Sequence, residues 1–274
     1  MRSPAPSRRP AATHRGEARL LPLRIGTAGW SIPRACAEDF PGSGSHLERF
    51  ARVLPCSEIN STSYRSPRPS TYGRWVAAVP EGFRFSVKAP KSITHEAALA
   101  CTPAVLRAFL EEARSLGPKL GPILFQLPPK LVFDPARAQT FFATLRDLYP
   151  GPAVLEPRHA SWFEPEADTL LKQLHISRAA ADPARTPSAA HPGGHPALVY
   201  YRLHGSPRTY YSSYSPEFLQ RLAQDITRHR EAGKSETWCI FDNTASGAAA
   251  GNALLLAKIA DVARIAQEKG RSGG

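Results

Sequence analysis

In the stretch Val154-Leu155-Glu156-Pro157-Arg158-His159, two apolar residues run directly into a carboxylate, a guanidinium and an imidazole. A buried strand that surfaces at a pocket reads this way. Parallel strands covered on both faces are short apolar runs, and barrels built from them place their chemistry at the strands' carboxyl ends. The pattern recurs along the chain, where apolar runs end in Trp30, Glu58 with Asn60, Lys88, Gln126, Glu156 with Arg158 and His159, Asp182, Arg202 with His204, and Asp242 with Asn243. Singly, each has a packing explanation: an Asn or Asp after a strand caps a helix, and Glu156 with Arg158 makes an internal ion pair. Gathered on one rim they mean more, because burying so many ionisable groups costs stability unless a ligand or a function holds them.

Three chemistries are open to these residues. Glu156, Lys88, His204, Glu58 and His159 are the catalytic candidates, as acid and base pairs or, for Lys88, as a Schiff-base amine if desolvation lowers its pKa; the blander role for Lys88 is neutralising nearby carboxylates. Glu156, Asp182, His204 and Asp242 are the candidate ligands of a divalent metal, the only cofactor the sequence suggests. That metal is not favoured, since Arg158 and Arg202 share the same strand faces and would displace a cation from the carboxylates. Arg202, Arg208, Gly247, Gly251 and Asn252 fall where barrels hold phosphate, after strands seven and eight and at the last helix, although the glycines would equally serve a tight turn. Asn60, Gln126, Arg158 and Asn243 are further binding candidates, and Trp30, Tyr64, Trp162, Tyr210, Tyr211 and Tyr214 would wall the mouth and stack a sugar or base, while Trp75 and Trp238 suit core packing.

The elements that must position them are eight runs: Leu23 to Ala28, Ser57 to Asn60, Phe83 to Lys88, Ile123 to Leu127, Ala153 to Arg158, Ile176 to Asp182, Leu198 to His204 and Thr237 to Asn243. Between them lie segments of helical period with clear punctuation. Thr102-Pro103 and Ser215-Pro216 each open a helix with a capping hydroxyl and a proline in the first turn, and Leu255, Ile259, Val262 and Ala266 stripe a last helix. This alternation predicts an α/β fold, a single (β/α)8 TIM barrel over residues 23–267. Residues 1–22 read as a disordered basic tail and 268–274 as a disordered end, and the Pro-, Ala-, His- and Gly-rich stretch from Pro183 to Pro196 reads as a mobile flap.

With 42% hydrophobic residues the chain can bury a sizeable core as one domain. Of its net charge of +12, Arg2, Arg8, Arg9, Arg15 and Arg19 against Glu17 place +4 in the first twenty residues, so the folded part is less basic than the total. Such a field fits anionic partners, phosphate esters among them, without implying sequence-specific recognition. Four separated cysteines, Cys36, Cys56, Cys101 and Cys239, signal neither a zinc site nor a disulfide framework, and a reducing, cytoplasmic setting is expected. No membrane association is expected, because no apolar run reaches eighteen residues and the Arg-, Ala- and Pro-rich start lacks a secretory core; a transit peptide is the minor alternative.

One set of motifs is more specific. Ile25-Gly26-Thr27-Ala28-Gly29-Trp30-Ser31, Glu58-Ile59-Asn60-Ser61-Thr62, Phe83-Arg84-Phe85-Ser86-Val87-Lys88, Thr94-His95-Glu96, Gln126-Leu127-Pro128-Pro129, Glu156-Pro157-Arg158-His159, Arg202-Leu203-His204-Gly205 and Phe241-Asp242-Asn243, in this order, resemble the YecE-like family, domain of unknown function seventy-two. The resemblance covers residues 24 to about 260 and implies a TIM barrel without an established reaction. It departs at Ser63, where Phe is usual before Tyr64, and after Ser31-Ile32-Pro33, where a tryptophan is expected. The leading expectation is an enzyme, a hydrolase, lyase or isomerase, acting on a small anionic or phosphorylated, sugar-like or nucleotide-like molecule in the barrel mouth. The rivals are a nucleic-acid-binding or processing barrel, motivated by charge and by aromatics among Arg and Lys, and a noncatalytic ligand sensor.

Overall fold

Each apolar run becomes a strand: β1 Leu23–Ala28, β2 Cys56–Ile59, β3 Arg84–Lys88, β4 Leu120–Gln126, β5 Ala153–Glu156, a broken sixth stave β6 made of Ser177–Arg178 and Ala180–Asp182, β7 Leu198–Leu203 and β8 Glu236–Phe241. They belong to a computed structural model that describes residues 21–232 and 235–272, with side chains in the last helix described to Val262. All eight staves run parallel. β1 pairs with both β8 and β2, and the ladder continues β2 to β3 to β4 to β5. The two halves of β6 close the ring, Val154 pairing with Ser177 on one side and Ala181 with Arg202 on the other, while β7 pairs with β8. The fold is a TIM-like barrel, as the alternation predicts.

The helices are α1 His46–Ala51, α2 Pro69–Ala78, α3 Pro103–Arg114, α4 Pro135–Leu148, α5 Pro165–Gln173, α6 Pro216–Glu231 and α7 Ala248–Ser272. Proline stands in the first turn of α2 to α6, where a missing N–H costs nothing, and the Thr102, Asp134 and Ser215 side chains accept from the Val105, Arg137 and Phe218 amides to cap α3, α4 and α6. The capping Thr and Ser are those expected from the sequence. Helix α7 continues past the boundary expected at residue 267, to Ser272. The basic tail, residues 1–20, lies outside the described residues, as do 273 and 274. Among the described residues, no helix is long and apolar enough to cross a membrane.

One βα unit departs from the expected (β/α)8 pattern. No α-helix follows β6; Pro187–Ala190 forms a single 3-10 turn, and Gly193–Gly194 pairs antiparallel with Ser177–Arg178. The stretch from Pro183 to Pro196 is therefore no flap over the mouth. It returns along the outside of the barrel, tied by the Gly194 amide to Asp168 Oδ1 at 2.7 Å. Where the helix would pack, a cavity of about 360 Å³ remains between β6, β7 and α6, lined in part by Asp182, Tyr201, Leu203, Phe218 and Leu222.

Strand alternation divides the side chains into two layers. Outward residues such as Phe85, Val87, Phe125 and Leu155 pack with helix residues including Leu106, Phe109, Phe141 and Phe142 in one continuous core. Inward residues Cys56, Leu124, Val154, Ala179, Leu198, Tyr200, Trp238 and Ile240 form a separate cluster inside the barrel, with Tyr200 and Trp238 stacked at 6.2 Å. Each large apolar side chain buried in this way is worth about 1.5 to 3 kcal/mol. The apolar plug fills the middle of the barrel, between the polar carboxyl-end half and the Arg24–Glu236 ion pair that lies over Trp238 at the other end.

Candidate functional site

At the centre of that upper half lies Arg202, wholly buried and sent inward by the same alternation that turns Tyr200 and His204 to the axis. Its Nη2 is 2.7 Å from Glu58 Oε1 and 3.1 Å from Asp242 Oδ2, its Nη1 is 3.1 Å from Glu156 Oε2, and its Nε is 3.0 Å from Glu58 Oε2. One guanidinium thus joins the carboxylates of β2 and β5 and the one just after β8. His204 spans two of them, with Nε2 2.8 Å from Glu156 Oε1 and Nδ1 2.9 Å from Asp242 Oδ2. Arg158 donates to Glu156 Oε1 from Nε at 2.9 Å, Gln126 Nε2 donates to Glu156 Oε2 at 3.1 Å, and the Tyr200 hydroxyl lies 3.0 Å from Glu58 Oε2. Burial alone would raise the Glu156 carboxyl, but His204, Arg202 and Arg158 hold it well below the usual carboxylate range; Asp242 is likewise held low against burial by Arg202 and His204. Arg202 itself is pushed further up, its carboxylates outweighing the cost of burial.

Above this ring two groups stand apart. Lys88 ends β3 and is 9% exposed, yet among the described residues its amine has no hydrogen bond or ion pair. Burial, with Arg202 adding, lowers its pKa, and Glu58, Glu156 and Asp242 oppose the shift without reversing it. Asn60 follows β2 and opens the turn Ser61–Ser63, whose Thr62 hydroxyl donates to Lys88 O at 2.7 Å, so Asn60 and Lys88 lie at the ends of adjoining strands. The Asn60 Oδ1 is buried without a hydrogen-bond partner among the described residues. An unpartnered buried polar group costs about 1 to 3 kcal/mol. Burial disfavours the charged amine, so we expect Lys88→Met to stabilise the protein at neutral pH. The sign follows from linkage. A folded pKa below the unfolded one means that protonated Lys88 opposes folding, and that the penalty fades as pH rises through the folded value. Thermal denaturation across neutral to alkaline pH should show a rise in the parent that the variant lacks; matching curves would mean the amine is paired.

The rim adds residues that the strand ends alone did not reveal. A π turn, Ser92–Glu96, follows β3 and carries His95, whose pKa is lowered by burial and by the charges of Lys91, Lys88 and Arg158. The motif Thr94-His95-Glu96 was the available signal, and π turns gather at functional sites. Tyr64 is 77% exposed with the Lys91 ammonium 4.1 Å from its ring centre, and Arg208 lies 4.0 Å from the centre of the exposed Tyr211 ring. Tyr210, at φ 70°, sets its ring edge-on to His204 at 5.9 Å.

Several expected site residues serve packing instead. Arg202 is saturated by carboxylates and cannot take the anion assigned to it. Asp182 faces outward and accepts from the Tyr214 hydroxyl at 2.8 Å, so Glu156, Asp182, His204 and Asp242 do not converge as a metal set; among the described residues, no such group of three or more is found. Tyr214 also accepts from the Gly205 amide and is buried, which fixes a loop rather than lining the mouth. Trp162 is buried, its Nε1 donating to Leu131 O at 2.9 Å, and Trp30 packs edge-on against Trp75 and Phe85. His159 Nδ1 accepts from the Ser161 amide and caps a short turn. Asn252 Oδ1 accepts from the Tyr214 amide and from Asn243 Nδ2, so the two asparagines knit the loops after β7 and β8. Gly247, at φ 79°, makes a tight turn against Pro33, and Gly251 lies in α7 facing Cys36, so the expected phosphate position is filled by turn and helix packing.

A closed parallel barrel whose carboxyl-end half is a paired ionic ring defines the class: a TIM-like barrel with a polar mouth. The chain belongs to the family described as "Protein of unknown function DUF72", whose model matches residues 24–272. The protein YecE of Escherichia coli K12 is 33% identical over 157 residues, 56% of this chain and 55% of that protein. YunF of Bacillus subtilis is 28% identical over 151 residues, 52% of this chain and 53% of that one. The chain spans about half the length of the curated relatives it matches. Crystal structures of DUF72 family proteins from Enterococcus faecalis and Thermotoga maritima share the fold, with TM-scores of 0.71 and 0.70 at 24% identity each, covering 87% and 88% of this chain and 95% and 99% of theirs.

Proposed function

We propose that the barrel mouth binds a small anionic molecule with a sugar-like or nucleotide-like body, Lys88 facing its anionic group and Asn60 Oδ1 accepting from a hydroxyl or amine of its body. One observation carries this reading: at the ends of adjoining strands, an amine and an amide oxygen have no hydrogen-bond partners among the described residues, while the carboxylates beneath them are already engaged by Arg202, Arg158 and His204. A folded protein tolerates such a pair where a ligand completes it. The ring of Glu58, Arg202, Glu156, His204 and Asp242 is then the rigid floor of the site, and Tyr64 and Tyr210 offer exposed faces for the planar part of the ligand.

Because a ligand that binds only the native state stabilises it by mass action, about 2.7 kcal/mol at a hundredfold excess over Kd, phosphate should raise the melting temperature above that in chloride at equal ionic strength. Lys88→Met should abolish that rise, each protein being compared with itself in chloride. An equal rise in the variant would put the anion elsewhere, with the exposed Arg208 as the first place to look.

A further inference from the structure

We propose that Lys88 is an imine-forming amine, and that the molecule held at the mouth is an anionic aldehyde or ketone. The inference rests on the anion-binding reading above and names the substrate class of the same site. A lysine among carboxylates is ordinarily inert, because an ion pair keeps it protonated. Here that pairing is withheld. Glu58 is engaged by Arg202 and Tyr200; Glu156 by Arg202, Arg158, His204 and Gln126; Asp242 by Arg202 and His204. Guanidinium groups do not give up their protons, so they hold the carboxylates permanently and leave the amine without an ion-pair partner to keep it protonated. Its burial, with Arg202 nearby, favours the neutral form, and at 9% exposure it is shielded from bulk water yet open to the mouth.

The chemistry balances without a further reagent. The Nζ lone pair adds to the carbonyl carbon and forms a C–N bond. Both amine protons then leave with the former carbonyl oxygen as water, as the C–O bond breaks and C=N remains. The proton released by the amine goes to the departing oxygen, and the Asn60 Oδ1, just beyond the adjoining strand and without a donor of its own among the described residues, is free to accept a hydrogen bond from the intermediate hydroxyl and orient it.

The test is reductive trapping on the full chain. Glyoxylate, a small anionic aldehyde, is added with borohydride near neutral pH, and peptide mass mapping reads carboxymethylation at each lysine. A lowered pKa raises the neutral amine fraction, so Lys88 should be modified faster than the exposed Lys130 and than Lys172, whose ammonium is paired with Asp168. Modification at Lys88 no faster than at those two overturns the imine. Lys88→Arg keeps a cation but cannot form C=N: it should retain the phosphate-induced rise in melting temperature and lose the trapped product at position 88. A parent that is stabilised by phosphate but traps nothing at Lys88 refutes the imine and leaves the anion site standing, whereas selective trapping without phosphate stabilisation supports the amine and refutes the anion reading.

Discussion

Replacing Arg202 by Met is expected to cost about 3 to 5 kcal/mol at pH 7.5 and to reverse the sign of the protein's pH dependence. In the parent, Glu156 and Asp242 have folded pKa values below their unfolded ones, chiefly because Arg202 and His204 outweigh the cost of burial. A depressed carboxylate contributes stability above its unfolded pKa and loses it as pH falls through the folded one, so the parent weakens in acid. Without the guanidinium, Glu58, Glu156 and Asp242 face one another in a water-poor interior with the central cation gone. Burial and mutual repulsion then push the Glu156 and Asp242 carboxyls up, and the folded state binds more protons than the unfolded one near neutrality. The variant should therefore gain stability between pH 7.5 and 5.5 while the parent holds or loses it. Urea denaturation at the two pH values reads both effects. A variant as stable as the parent, or one whose slope has the parent's sign, would mean that Arg202 is not the hub of the ring.

The staves were legible in the sequence because a strand buried on both faces can only be a continuous apolar run, and the polar residue at its end is the first that is free to face the mouth. The helices announced themselves through Thr102-Pro103 and Ser215-Pro216 for equally local reasons. What escaped was set by phase and by partners. In β6 the run Ala179-Ala180-Ala181-Asp182 gives no contrast between large and small side chains, so nothing in it says that Ala179 turns inward and Asp182 outward. Arg202 was recognised as a charge, but a charge does not show in sequence whether it is spent. Its three carboxylates come from runs far apart in the chain, and only closure of the barrel brings them within hydrogen-bond range. Trp162 and Tyr214 misled because an aromatic with a polar handle has the same composition whether its handle meets a ligand or a backbone group. The missing sixth helix was visible as Pro- and Gly-rich sequence; its course along the outside of the barrel depended on the Gly193–Gly194 pairing, which two glycines do not advertise.

Glu156 is where residue identity and charge can be separated. Glu156→Ala leaves Arg158 without its carboxylate, Arg202 short of one and His204 Nε2 without its acceptor, all in the protein interior, and should cost about 3 to 5 kcal/mol. Glu156→Gln keeps the shape but is not silent. The Oε1 position faces Arg158 and His204, and the Oε2 position faces Arg202 and Gln126, so whichever way the amide turns its NH2 meets at least one donor. Loss of a hydrogen bond to a charged group costs about 1.5 to 3 kcal/mol, and the variant should fold within that margin with a flatter acid limb, because a depressed carboxylate has been removed. Gln126 offers the decisive control. It is the register partner of Glu156 on the neighbouring strand, with its Nε2 3.1 Å from Glu156 Oε2. Exchanging the two residues, Gln126→Glu together with Glu156→Gln, returns the carboxylate to the ring at the adjoining position. If the ring requires charge balance, the double variant should recover stability relative to Glu156→Gln, because Arg202 and Arg158 again share a negative neighbour. If it requires the Glu156 geometry, the second change adds its own cost to the first. Chemical denaturation of the parent, both single variants and the exchange decides between these outcomes, and recovery in the exchange would establish charge balance, not the Glu156 position, as what the ring requires.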